Sequence, residues 1–267
     1  MMPVAPGRPA EIAAEMVPIG GVRRWPREYR RMLAWDLAEL RLNLPVLASV
    51  LLLQGAGFVL GIGLFFRHIP PSAAAFVVTG VPVVNLITAG LIFEPQIVAA
   101  QRAGGSYEFI QSMPVPRSVM AAAWYTVALI TALPAVAMTL AAGVARYHIH
   151  LVITPAIVPA VLVTSLTGVL MGYAVAHGIT VPMVAQLVSV SLIFVIFGFS
   201  PIMFPAGHLP QWLAAANTWL PFGPMATITR SALVSNPGAD VARAYLIVLA
   251  WAAASGLIAA RAVGRRR

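Results

Sequence analysis

Six runs of about 20 apolar residues constrain this chain more than anything else in it. A helix of that length crosses roughly 30 Å of hydrocarbon. In lipid, every backbone N–H and C=O must be satisfied internally, so only helices and closed barrels span a membrane. Barrel strands alternate apolar and polar residues, and these runs do not alternate. Composition agrees: 60% of residues are hydrophobic and 9% charged, against about 45–50% and 25% in soluble domains. The expected fold class is all-α integral membrane, with six transmembrane helices.

The spans read as about 45–66, 73–93, 119–142, 153–175, 183–203 and 241–260. Residues 1–26 are rich in Pro, Gly, Ala and Arg and read as a flexible cytoplasmic tail, without the apolar core of a signal peptide. Residues 27–43 read as an amphipathic helix. At about 100° per residue, Tyr29, Leu33, Leu37, Leu40 and Leu44 share one face, and Arg27, Arg30, Arg31 and Arg41 lie on another. Such a helix suits the membrane interface, arginines towards anionic headgroups. Residues 263–267 form a basic tail. Glu94 and His177 read as boundary residues facing headgroups or a neighbouring chain, and Arg146 to His150 as an outer loop.

Charge sets orientation and removes several functions. The chain has no lysine, so all 17 basic residues are arginine, and a Walker A phosphate loop is impossible. With both ends inside, thirteen arginines fall on the inner side and four (Arg67, Arg146, Arg230, Arg243) on the outer, as the positive-inside rule requires. That placement explains the +9 net charge without nucleic acid. No cysteine is present. His148 and His150, two residues apart, do not share a helix face and read as loop histidines, so no metal site is expected. The near absence of acids within the spans argues against ion-coupled transport. No nucleophile motif of an intramembrane protease appears, so no catalytic residue is expected. A channel, and a subunit driven from outside the membrane, both remain open.

Between the second and third spans lies a polar island, Glu94 to Arg117, which must leave the lipid. It holds Arg102, Gly104-Gly105, Glu108 and Met113-Pro114. Later come Phe199-Ser200-Pro201-Ile202-Met203-Phe204-Pro205, Leu209-Pro210, Trp212-Leu213, Leu220-Pro221-Phe222 and Arg230. With the amphipathic helix before the first span, these features, in this order over roughly residues 27–262, resemble the membrane subunits of type-two ATP-binding-cassette exporters. That family includes daunorubicin-resistance-type, Nod-factor-type and polysaccharide exporters.

The resemblance implies a permease subunit that exports a drug-like, lipid or glycolipid substrate. It implies a second permease subunit and a separate P-loop ATPase as partners, in a bacterial inner membrane with both termini cytoplasmic. ATP and Mg2+ would belong to the ATPase, leaving no cofactor in this chain. The island would form a cytoplasmic coupling helix. Gly104-Gly105 permits a sharp turn, and Pro114 and Pro116 end the helix. Tyr107, Phe109, Ile110 and Met113 offer a short apolar surface, and Arg102 and Glu108 could fix register through charge-assisted bonds. Residues 204–240 would form short re-entrant helices, such as Gln211–Leu220 and Met225–Val234. A pathway between two subunits, lined by the first, second and fifth spans, would draw on Asn85, Thr88, Gln186, Ser189, Phe194 and Phe197. The alternative is an ATPase-independent channel or structural membrane protein.

Overall fold

The computed structural model describes residues 24–41, 43–65, 69–205, 207, 209–234 and 240–264. Of the expected tail over residues 1–26, residues 1–23 lie outside the described residues, as do the turn at Arg67-His68 and the last three arginines, while Trp25 and Pro26 already belong to the first helix. Eleven helices and no strand occur among the described residues. They are α1 (Trp25–Leu40), α2 (Leu44–Phe65), α3 (Pro71–Leu91), α4 (Phe93–Ala103), α5 (Ser106–Ser112), α6 (Arg117–Tyr147), α7 (Ile157–Gly178), α8 (Pro182–Phe199), α9 (Gln211–Asn217), α10 (Phe222–Ser231) and α11 (Val241–Gly264). Six stretches are long and apolar enough to cross a membrane: α2, α3 with α4, α6, α7, α8 and α11. This is a multi-pass helical membrane protein.

Proline sets several helix starts. Pro71 opens α3 and Pro182 opens α8, where a missing N–H removes no helical bond. Pro116 precedes α6 in extended geometry. At its other end α6 stops at His148, which turns left-handed at φ 53° and returns its N–H to Val144 O at 2.9 Å.

α3 is the hub. In its most apolar window 89% of residues are buried, against 22% in α2 and 17% in α8. It packs on α2, α6, α7 and α10. One apolar cluster joins Val83, Val84, Ile87 and Leu91 of α3 to Ile196, Phe222, Met225, Ile228 and Val248. A second joins Leu86, Ala89, Ile92 and Phe93 to Leu51, Ala132, Val136 and Val169. Between α3 and α7 the main chains touch. A Cβ on Gly172 would overlap Gly90 O, and one on Gly90 would lie 2.7 Å from Val169 Cα. Small residues allow such approach where lipid supplies no hydrophobic drive between helices.

The expected span limits shift in places. The third span runs from Arg117 to Tyr147, so Arg146 and Tyr147 are helical rather than loop. Their side chains bind main-chain oxygens of α2: Arg146 NH2 donates to Gly63 O at 3.3 Å and Tyr147 OH to Val59 O at 2.7 Å. The second span does not end at residue 93, because after a break at Ile92 the chain continues as α4 to Ala103. The last span reaches Gly264, into the expected basic tail. Before it, the two short helices are Gln211–Asn217 and Phe222–Ser231, shorter or earlier than expected.

Candidate partner-docking site

The Gly-Gly corner stands at one end of the bundle. α4 closes at Ala103, Gly104 caps it, and Gly105 takes φ 76° before α5 begins. A side chain at that left-handed position costs about 1–2 kcal/mol. α5 then presents two faces. Ile110 is buried with Met32, Val119, Met120 and Ala123. On the other side Glu108, Phe109, Ser112 and Pro114 are exposed, and Phe109 is 59% exposed. The Phe109 ring lies 6.5 Å from that of Trp35 on α1, itself 46% exposed. Met113 and Tyr107 are half-buried.

Arg102 holds this corner from behind. NH1 donates to Ile179 O at 2.8 Å and Thr180 O at 3.2 Å, and NH2 donates to Ala176 O at 2.9 Å. Its guanidinium carbon lies 4.5 Å from the centroid of the Tyr107 ring. Helix C-termini leave carbonyls unsatisfied and carry partial negative charge, so Arg102 caps α7 from the α4–α5 corner. The sequence reading made Arg102 and Glu108 a pair for register with a partner. Arg102 is instead committed within the chain, and Glu108 is the charge left on the surface.

α1 completes this end. Its buried residues are Met32, Asp36 and Leu40; of the predicted face Leu40 is buried, Tyr29, Leu33 and Leu37 are half-buried and Leu44 falls in α2, and the helix packs on α6. Tyr29 OH and Thr126 Oγ1 share a 2.7 Å hydrogen bond, and Gln101 Nε2 donates to Glu39 Oε1 at 3.1 Å. A cavity of about 70 Å³ lies among these helices, lined by Asp36, Glu39, Glu94, Tyr173 and His177, among others. Burial first, then the neighbouring Glu39 charge, pushes the Asp36 carboxyl up to about 7. Glu94 and His177, expected to face headgroups or a neighbouring chain, are 3% and 5% exposed and line this cavity. His177 Nδ1 lies 3.1 Å from Tyr173 O, and the two rings stack at 4.0 Å.

The six expected pathway residues divide. Asn85, Thr88 and Ser189 are buried among the chain's own helices. Asn85 Nδ2 donates to Thr139 Oγ1 at 3.2 Å, and Gln54 Nε2 donates to Thr88 Oγ1 at 3.1 Å. Gln186 and Phe197 are half-buried and Phe194 is 71% exposed, all on α8. Phe197 meets Phe58 of α2 at 6.0 Å between centroids.

No protein-family model matches this sequence, and no curated protein matches it. Among the described residues no group of three His, Cys, Asp or Glu side chains could hold a metal ion. The sequence reading missed Trp35 as the neighbour of Phe109, and it missed the carbonyls of residues 176–180 as the seat of Arg102. The Asp36 stripe had a visible signal, since Met32, Asp36 and Leu40 repeat at i, i+4 and i+8.

Proposed function

We propose that this chain is the membrane subunit of an ATP-driven exporter, coupled through α5 to a separate P-loop ATPase. The observation that carries the proposal is the exposed Glu108–Phe109 surface of α5 on a rigidly seated corner. A large exposed aromatic beside a second one, rimmed by polar residues, is the makeup of a docking surface. Ile110 below and Arg102 behind fix that surface to the bundle, so force applied to α5 reaches the spans. In this reading α5 and both termini face the cytoplasm of a bacterial cell. A second copy or a sister permease covers the open faces of α2 and α8, and the substrate passes beside Gln186, Phe194 and Phe197. The substrate is drug-like, a lipid or a glycolipid, and ATP with Mg2+ acts in the partner.

The test is purification of tagged protein from its native host in mild detergent. An ATPase subunit is expected in equal number with the permeases, and Glu108→Arg with Phe109→Ala should release it while the permease stays folded. Arg102 is unsuitable for that test, because its loss loosens the chain itself. A stable chain that retains no nucleotide-binding partner under these conditions would point to a channel or structural protein instead.

A further inference from the structure

The end opposite the Gly-Gly corner carries a second cluster of charge that the docking proposal does not use. Arg230 of α10 is pinned against α3. Its Nε donates to Thr79 Oγ1 at 3.1 Å, and its NH2 donates to Ile202 O at 2.9 Å and Phe76 O at 3.4 Å. The guanidinium carbon lies 3.6 Å from the Phe76 ring centroid. NH1 makes no hydrogen bond to the described residues. The side chain lines an open cavity of about 420 Å³, together with Asn217, Thr218, Thr227, Asp240 and Arg243.

The donors in this cavity are selective. Thr218 and Thr227 hydroxyls already donate to Ala215 O at 2.7 Å and Gly223 O at 3.1 Å. Asn217 Nδ2 is spent on Phe199 O and Leu213 O. Asp240 Oδ1 accepts the backbone N–H of Arg243 at 3.0 Å and so caps the start of α11. What remains are two guanidinium groups on the donor side, with Asn217 Oδ1 and the second oxygen of Asp240 as the acceptors. One guanidinium is held rigid by three hydrogen bonds, and the other lies 5.9 Å from the Trp219 ring centroid. Free donors that all carry permanent positive charge favour an acceptor-only anion over a neutral hydroxyl ligand. Trp212 and Trp219 beside it are 71% and 70% exposed, and exposed tryptophans at the ends of apolar helices mark headgroup depth.

We propose that this cavity binds a phosphate group, with Arg230 as its fixed anchor and Arg243 as its second donor. The phosphate can come from the headgroup of an anionic lipid or from free phosphate, and the test separates the two. Full-length protein, with whatever co-purifies, is titrated in mild detergent with phosphatidylglycerol, with phosphatidylcholine, and separately with inorganic phosphate. Intrinsic tryptophan fluorescence, to which Trp219 near Arg243 contributes, and native mass spectrometry supply the readouts. Phosphatidylglycerol is expected to bind more tightly than phosphatidylcholine, and Arg243→Gln should weaken it about tenfold or more, the scale of one charge-assisted hydrogen bond. Thr227→Glu, which sets a carboxylate beside Arg230 without touching its clamp, should abolish binding. An Arg243-dependent response to inorganic phosphate alone identifies a soluble source, and a response to lipid alone identifies a headgroup. Equal affinity for the two lipids, or binding unchanged in both variants while the protein stays folded, overturns the proposal.

Discussion

Replacing Gly172 with alanine sets a methyl group against the main chain of α3. The new Cβ would overlap Gly90 O, lie 2.8 Å from Gly90 C and lie 3.1 Å from Leu91 Cα. None of these atoms belongs to a side chain that could rotate away, and α3 is held by α2, α6, α7 and α10. Relief therefore requires α3 and α7 to separate. A gap of about 0.5–1 Å forfeits a quarter to a half of the attraction at each contact, and overpacking of this kind costs about 1–3 kcal/mol. Alanine returns at most about 1 kcal/mol in helix propensity. The net expectation is a loss of up to about 2 kcal/mol, and a larger loss for Gly172→Val. Gly256→Ala on α11 is the control, since its Cβ would meet Leu170 Cδ1 and Cδ2 of α7 at 3.8 and 3.9 Å, ordinary contact. It should be neutral or slightly stabilising. The assay is thermal loss of the monodisperse peak in mild detergent. A midpoint for Gly172→Ala at or above that of Gly256→Ala would refute the claim that close main-chain approach holds α3 to α7.

Arg102→Ala should speed hydrogen exchange at residues 176–181 and 103–109 and destabilise that corner by about 1.5–3 kcal/mol. Arg102→Lys should restore only part, because a point charge cannot span three carbonyls, and unchanged exchange in Arg102→Ala would sink the capping role. Asp36 makes the seating of α1 depend on pH. Its folded value of about 7 lies above the ordinary 3.8, so its contribution is whole below about pH 4, declines as pH rises, and is lost above about 7. α1 should therefore be seated about 2–3 kcal/mol more firmly at pH 5 than at pH 8. The readout is protease cleavage within residues 25–40 across that range, and Asp36→Asn should flatten the profile at its protected level.

The six spans were legible because length and apolar content alone decide them. What polarity could not tell was where a polar side chain ends up. Arg146 and Tyr147 look like loop residues, yet α6 runs through them, and their side chains donate to the Gly63 and Val59 carbonyls of α2. Glu94 and His177 look like headgroup residues, yet both are buried beside a cavity shared with Asp36. Asn85 and Thr88 look like pathway residues, yet they face partners on α6 and α2. In each case the deciding partner lies more than 30 residues away or on another helix, beyond any local pattern. Gly168 and Gly172 form a small-x-x-x-small pair, a local signal of the close helix crossing that the sequence reading passed over.

The near-continuous stretch from Pro71 to Ala103, interrupted only at Ile92, has the proportions of a lever. At 1.5 Å per residue, its 33 residues make a rod about 50 Å long. Arg102 grips one end of it to the α7–α8 corner, and Arg230 grips the other to the segment at Ile202. A 10° tilt about its midpoint carries each tip about 4 Å in opposite directions, by the same length. Were the stretch to tilt as one body, a displacement of α5 at one end of the bundle would appear as a displacement of the Phe76–Thr79 wall at the other, with the sign reversed.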